Sequence, residues 1–192
     1  MIAIIITAFF LGIGLAADAC AVSMANGLKE KTMKVKKILL IAFLFGLFQG
    51  LMPLIGYFVG ASILSKIEWV IPWVALVLLT LIGGKMLIEG IKNEDEEKEK
   101  EDKTNLTFKV LLVQAFATSI DALSVGFTIS NYKVNEALIS ASIISIVTAI
   151  ICIFAVKIGK IFGTKLGNKA EIIGGIILML IGIEIFVTGV FL

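Results

Sequence analysis

Apolar residues in this chain neither alternate nor form a stripe along short helices; they come in long runs separated by short polar stretches. Six such runs lie near residues 2–26, 38–60, 70–91, 109–131, 137–160 and 171–191. Each approaches the roughly 20 residues that a helix rising about 1.5 Å per residue needs to cross a hydrocarbon core of about 30 Å. The pattern predicts an all-α membrane protein of six transmembrane helices. The first run has no basic residue ahead of it, is too long for a signal core and contains Asp18. It is therefore expected to stay as a span and not to be removed as a signal peptide.

Composition agrees with this reading. Of 192 residues, 59% are hydrophobic and 17% charged, whereas soluble domains run nearer half apolar and a quarter charged. Every basic residue is a lysine, and the lysines sort by loop. Lys29, Lys31, Lys34, Lys36 and Lys37 follow the first run; Lys92, Lys98, Lys100, Lys103 and Lys109 follow the third; Lys157, Lys160, Lys165 and Lys169 surround the fifth connection. Only Lys66 and Lys133 fall in the opposite loops, with Lys85 inside the third span. Basic loops stay in the cytoplasm, so both termini are expected outside it. The net charge of +2 reports orientation more than partners. The expected surroundings are a lipid bilayer, with no nucleic acid.

The segment Asn93 to Asn105, NEDEEKEKEDKTN, is charged and has no apolar anchor, which predicts a solvated cytoplasmic linker. It divides the chain into a first three-helix repeat over 1–91, a linker over 92–108 and a second three-helix repeat over 109–192. DACAVS (Asp18 to Ser23) matches DALSVG (Asp121 to Gly126), and IGYFVG (Ile55 to Gly60) matches IGKIFG (Ile158 to Gly163), both at the same offset. LIGGKMLIEG (Leu81 to Gly90) matches LIGIEIFVTG (Leu180 to Gly189) more loosely. An odd number of spans per copy inverts the second copy in the membrane, as in many secondary transporters.

Candidate chemistry sits in the apolar runs. Asp18 and Asp121 fall well inside the first and fourth spans, at matching places of the two copies. A carboxylate facing lipid costs at least about 2.5 kcal/mol on insertion scales, so intramembrane acids face a bundle interior and mark ion or proton pathways. Gln114, Thr118, Asp121, Ser124 and Thr128 follow helical spacing and are expected to share one face of a continuous fourth helix. On the first helix Gly14, Asp18, Ala21 and Ala25 form a face of small residues, which lets another backbone approach. In the second span Gln49 is the polar residue of a side otherwise made of Gly46, Gly50, Pro53, Gly56 and Gly60, and Pro53 removes a backbone donor. Lys85, Glu89, Glu171 and Glu184 lie nearer span ends.

Histidine is absent, and Cys20 and Cys152 sit in different spans without CxxC spacing. Neither a zinc site nor a disulfide framework is suggested. Carboxylate, amide and backbone oxygens make a hard site, suited to magnesium, calcium or manganese. The candidate metal-binding residues are Asp18, Asp121, Gln49, Ser124 and Thr118, with no catalytic residue and no cofactor.

These residues resemble the MntP family of bacterial manganese efflux pumps, within the LysE-like exporters. The resemblance rests on AADACAVSMANG, FGLFQGLMPLIGYFVG, GGKMLIEG, ATSIDALSVG and AVKIGKIFGTKLGNKAEIIGGIILMLIG. It implies Mn²⁺ export through the bacterial inner membrane, with Asp18 and Asp121 as the important acids. Some members carry glutamate where Gln49 stands, and Ala16 replaces a usual serine.

The expected function is secondary active export of Mn²⁺ by proton antiport. Alternatives are export of another divalent cation, or a related sporulation-associated membrane protein without transport activity. An intramembrane aspartyl protease is a different class, but neither aspartate lies in a GxGD sequence. A thiol electron carrier would need paired cysteines, and Cys20 and Cys152 are not equivalent in the repeat. No GxxxxGK[ST] motif is present for direct use of ATP.

Overall fold

The structure, a computed structural model, describes residues 1–59, 71–95, 106–129, 132–166 and 169–191. The linker from Glu96 to Asn105, Lys66, the last residues of the second and fourth expected spans, the first of the third, and the side chains of Glu89, Lys92, Thr128, Lys165 and Glu171 lie outside the described part. The described residues are helical, with no strand among them. In chain order the helices are α1 (Ile2–Lys29), α2 (Val35–Val59), α3 (Ile71–Asp95), α4 (Phe108–Ala117), α5 (Ala122–Thr128), α6 (Val134–Leu166) and α7 (Lys169–Phe191).

Among the described residues, three helices are long and apolar enough to cross a membrane: α1, α2 and the stretch Val134–Thr164 of α6. Shorter apolar stretches run over Leu79–Ile88, Phe108–Ala117 and Ile172–Thr188. Apolar side chains such as Phe10, Phe43, Phe58, Ile146, Phe154 and Phe162 face outward, as lipid requires and water would penalise.

The helices associate through small residues. Helix α1 runs parallel to α6, with Gly12 against Ile144 and Val147, and Gly27 against Val156 and Gly159. Helix α2 packs on α4, α5 and α6, while α3 packs mainly on α7. A Cβ on Gly56 would lie 2.2 Å from the Leu123 carbonyl oxygen, and one on Gly159 would lie 2.1 Å from that of Met24. These glycines occupy matching places in IGYFVG and IGKIFG, and each lets its helix touch the backbone of a helix from the other half. Without a strong hydrophobic drive between helices in lipid, such close approach supplies the packing energy. A buried apolar cluster that includes Val22, Phe45, Leu79, Met86, Cys152, Val156 and Leu178 ties the elements together.

The expected continuous helix over 109–131 is instead two helices, α4 and α5, separated by the turn Thr118–Asp121. The cause is local. The Thr118 hydroxyl donates to the carbonyls of Gln114 (3.0 Å) and Ala115 (3.4 Å), and the Ser119 hydroxyl donates to that of Phe116 (3.0 Å). Hydroxyls that bond back to the preceding turn compete with the helical ladder.

Candidate functional site

The turn between α4 and α5 holds Asp121, and its backbone pattern is unusual. Ser119 N–H donates to Phe116 O, Ala122 to Ser119 O, Leu123 to Ile120 O and Ser124 to Asp121 O. These are three-residue bonds of 3₁₀ type in place of the four-residue α ladder. The Asp121 carboxylate accepts the N–H of Ala122 at 2.9 Å. No backbone N–H reaches the carbonyls of Ala117 and Thr118, although both residues are only 1% exposed. Buried carbonyls without donors are uncommon and cost on the order of 1–3 kcal/mol each.

Helix α2 crosses beside this turn. Phe48 meets Phe116 edge to face, 6.2 Å between ring centroids, and Met52 packs on Ala122 and Leu123. That register sets Gln49 level with Ala117 and Thr118. The Gln49 side chain is fully buried; its Nε2 donates to the Leu15 carbonyl of α1 at 3.0 Å, and its Oε1 has no partner. Pro53 lies inside α2, so the main-chain carbonyl of Gln49 also lacks its helical donor.

Asp18 stands on α1, one turn beyond Leu15, and is half-buried, while Asp121 is an exposed residue. The two carboxylates lie within electrostatic range of each other. Asp18 is likewise within range of Glu184 on α7, a residue that the sequence places near a span end. One turn before Asp18, a Cβ on Gly14 would meet nothing within 4 Å, and Gly14 lines an open cavity of about 540 Å³ together with Thr7, Leu11 and Leu15. Among the described residues, no three Cys, Asp or Glu groups cluster closely enough to hold a metal ion. A cation bound here would have to draw on neutral oxygens.

The five sequence candidates therefore divide by place. Asp18, Gln49 and Asp121 converge where α1, α2 and the α4–α5 turn meet. Thr118 is buried with its hydroxyl turned back onto α4, and the Ser124 hydroxyl donates to the Asp121 carbonyl. Gln114, expected on the same face, is engaged elsewhere: its amide and that of Asn26 exchange two hydrogen bonds, 2.8 and 3.2 Å, fully buried between α4 and α1. Asn26 was not among the candidates. Its one sequence signal was an amide inside an apolar run, and no spacing rule connects it to a partner 88 residues away.

Comparison with known proteins bears on what this meeting point serves. A family described as "Putative manganese efflux pump" matches residues 32–186. The chain belongs to the MntP family. A relative from Ruminiclostridium cellulolyticum, named "Putative manganese efflux pump MntP", is 50% identical over 181 residues, covering 94% of each chain. A relative of the same name from Campylobacter fetus subsp. fetus is 40% identical over 179 residues, covering 93% of this chain and 96% of its own. "Putative manganese efflux pump MntP 2" of Clostridium botulinum strain Hall is 40% identical over 190 residues, covering 95% and 94%. No solved structure matches. The MntP description is that of a transporter and not of an enzyme, and it names no cofactor.

Proposed function

We propose that this chain is a secondary active transporter of the bacterial inner membrane that exports Mn²⁺ in exchange for protons, with Asp18 and Asp121 as the carboxylate ligands of the cation. The observation that carries the reading is the approach of these two acids to each other within a bundle of apolar helices. Ionised, the pair offsets the charge of one divalent cation; protonated, it offers that cation nothing. The family match brings manganese as the substrate.

Two inverted three-helix repeats are supported by the way the helices pair. The α1–α6 contact has its mate in α2 against α4 and α5; the α1–α7 contact has its mate in α3 against α4; α2–α6 and α3–α7 are their own mates. The exchange is imperfect in an informative way. Asp18 precedes its backbone contact point, Met24, by six residues, whereas Asp121 precedes Leu123 by two. The halves thus differ by about one helical turn, and the shorter spacing belongs to the copy with the broken helix. A transporter whose site opens to one side at a time needs its two repeats in different conformations.

Orientation follows from the lysines. Glu30, in the turn after α1, pairs with Lys37 at the start of α2, and Lys160 Nζ donates to the Met33 carbonyl of that turn at 2.6 Å. Two lysine-rich connections therefore meet at one end of the bundle, the end we assign to the cytoplasm. At the other end Tyr57 donates to the Tyr132 carbonyl at 2.8 Å.

The test is transport by Asp18→Asn and Asp121→Asn in inverted vesicles. Asparagine keeps the size of the side chain but loses its charge and its titratable proton. Each variant is expected to insert normally and to lose Mn²⁺ export. Wild-type transport by either would reduce that carboxylate to a packing role.

A further inference from the structure

We propose that the main-chain carbonyls of Ala117 and Thr118, together with the Gln49 side-chain oxygen, form the neutral half of the Mn²⁺ site, completing a shell that Asp18 and Asp121 begin. The inference rests on the export reading above. Three observations lead to it. Hydroxyl bonding by Thr118 and Ser119 tightens the chain into 3₁₀ turns, and the register skips the N–H groups of Ile120 and Asp121. In an α-helix Ala117 O would take the Asp121 N–H and Thr118 O that of Ala122; here the Ala122 N–H goes to Ser119 O, and both carbonyls are left without backbone donors in residues that are 1% exposed. Independently, Gln49 Oε1 from another helix is fully buried at the same level and has no partner.

What gathers there is a surplus of acceptors. Buried polar groups find partners, and several oxygens from two elements with no matching donors are what a hard cation recognises. Mn²⁺ favours about six oxygen ligands, and carboxylate with carbonyl oxygen suits it. Two carboxylates cannot fill that shell alone. Neutral oxygens fill it without adding charge, so within that shell the two ionised aspartates balance the charge of the cation.

The experiment uses purified full-length protein with Mn²⁺ as the probe, grown on threonine carrying ¹³C in its carbonyl. Electron-nuclear double resonance of the bound Mn²⁺ is expected to show a ¹³C coupling from a directly ligating carbonyl. The coupling should vanish in Thr118→Ser, which keeps the hydroxyl, grown on the same label, and return when that variant carries carbonyl-labelled serine. Gln49→Leu is expected to bind Mn²⁺ roughly tenfold more weakly while still requiring both aspartates. Mn²⁺ binding that depends on Asp18 and Asp121 but shows no carbonyl ¹³C coupling would overturn the neutral half and leave the export reading standing. Failure to bind Mn²⁺ at all, or binding indifferent to both aspartates, would overturn the export reading and this inference with it.

Discussion

Outside the proposed cation site, the buried amide pair Asn26–Gln114 is the side-chain arrangement with most at stake. Each amide satisfies the other across α1 and α4, so removing one leaves its partner's polar groups in an apolar interior. Asn26→Leu and Gln114→Leu are each expected to destabilise by about 1–3 kcal/mol, and the double replacement by clearly less than the sum. Thermal unfolding of the four proteins in detergent measures this; a double variant that loses the full sum would refute the pairing. Asp18, Asp121 and Gln49 were legible in the sequence because a charge or amide inside an apolar run is expensive wherever it points. The partners were not legible. Gln114 had a helical stripe to belong to and was read with it, whereas its actual partner lies on another helix. Thr118 and Ser124 were read as hydroxyls for the path, but their oxygens bond to their own backbone.

At the scale of elements, run length anticipated apolar helices, and the break between α4 and α5 is where it misled. The sequence ATSIDAL contains neither Gly nor Pro, so no breaker marks the turn. Its cause is back-bonding by two adjacent hydroxyls, which propensity does not distinguish from ordinary helix-facing Ser and Thr. Close helix contacts were easier to anticipate, since glycines recur at matching places in both halves. Their roles nevertheless differ. Gly56→Ala and Gly159→Ala put a Cβ against a backbone carbonyl and are each expected to cost about 1–3 kcal/mol as overpacking. Gly14→Ala meets open space and is expected to leave stability unchanged or raise it by up to about 1 kcal/mol through helix propensity. Unfolding midpoints decide it: equal effects at all three positions would mean that the helix contacts are looser than described.

At the scale of the molecule, the lysine pattern predicts an orientation, and the proposed export of a divalent cation poses an energetic problem. Reporter fusions at Glu96 and at Leu192 are expected to report the cytoplasm and the outside respectively; cytoplasmic activity at both would break the six-span topology. With about 100 mV negative inside, moving a divalent cation outward alone costs about 4.6 kcal/mol before any concentration gradient. Uncoupled passage would therefore run inward, and export needs a driving ion. Exchange of two protons per Mn²⁺ moves no net charge, so the pH gradient alone drives it. The most direct test is Mn²⁺ accumulation by inverted vesicles containing a pH dye, under an imposed proton gradient that is then collapsed with an uncoupler. The account predicts concentrative uptake coupled to proton movement, lost on collapse and absent in Asp18→Asn and Asp121→Asn. Uptake that persists after collapse, or proceeds with no proton movement, would contradict it.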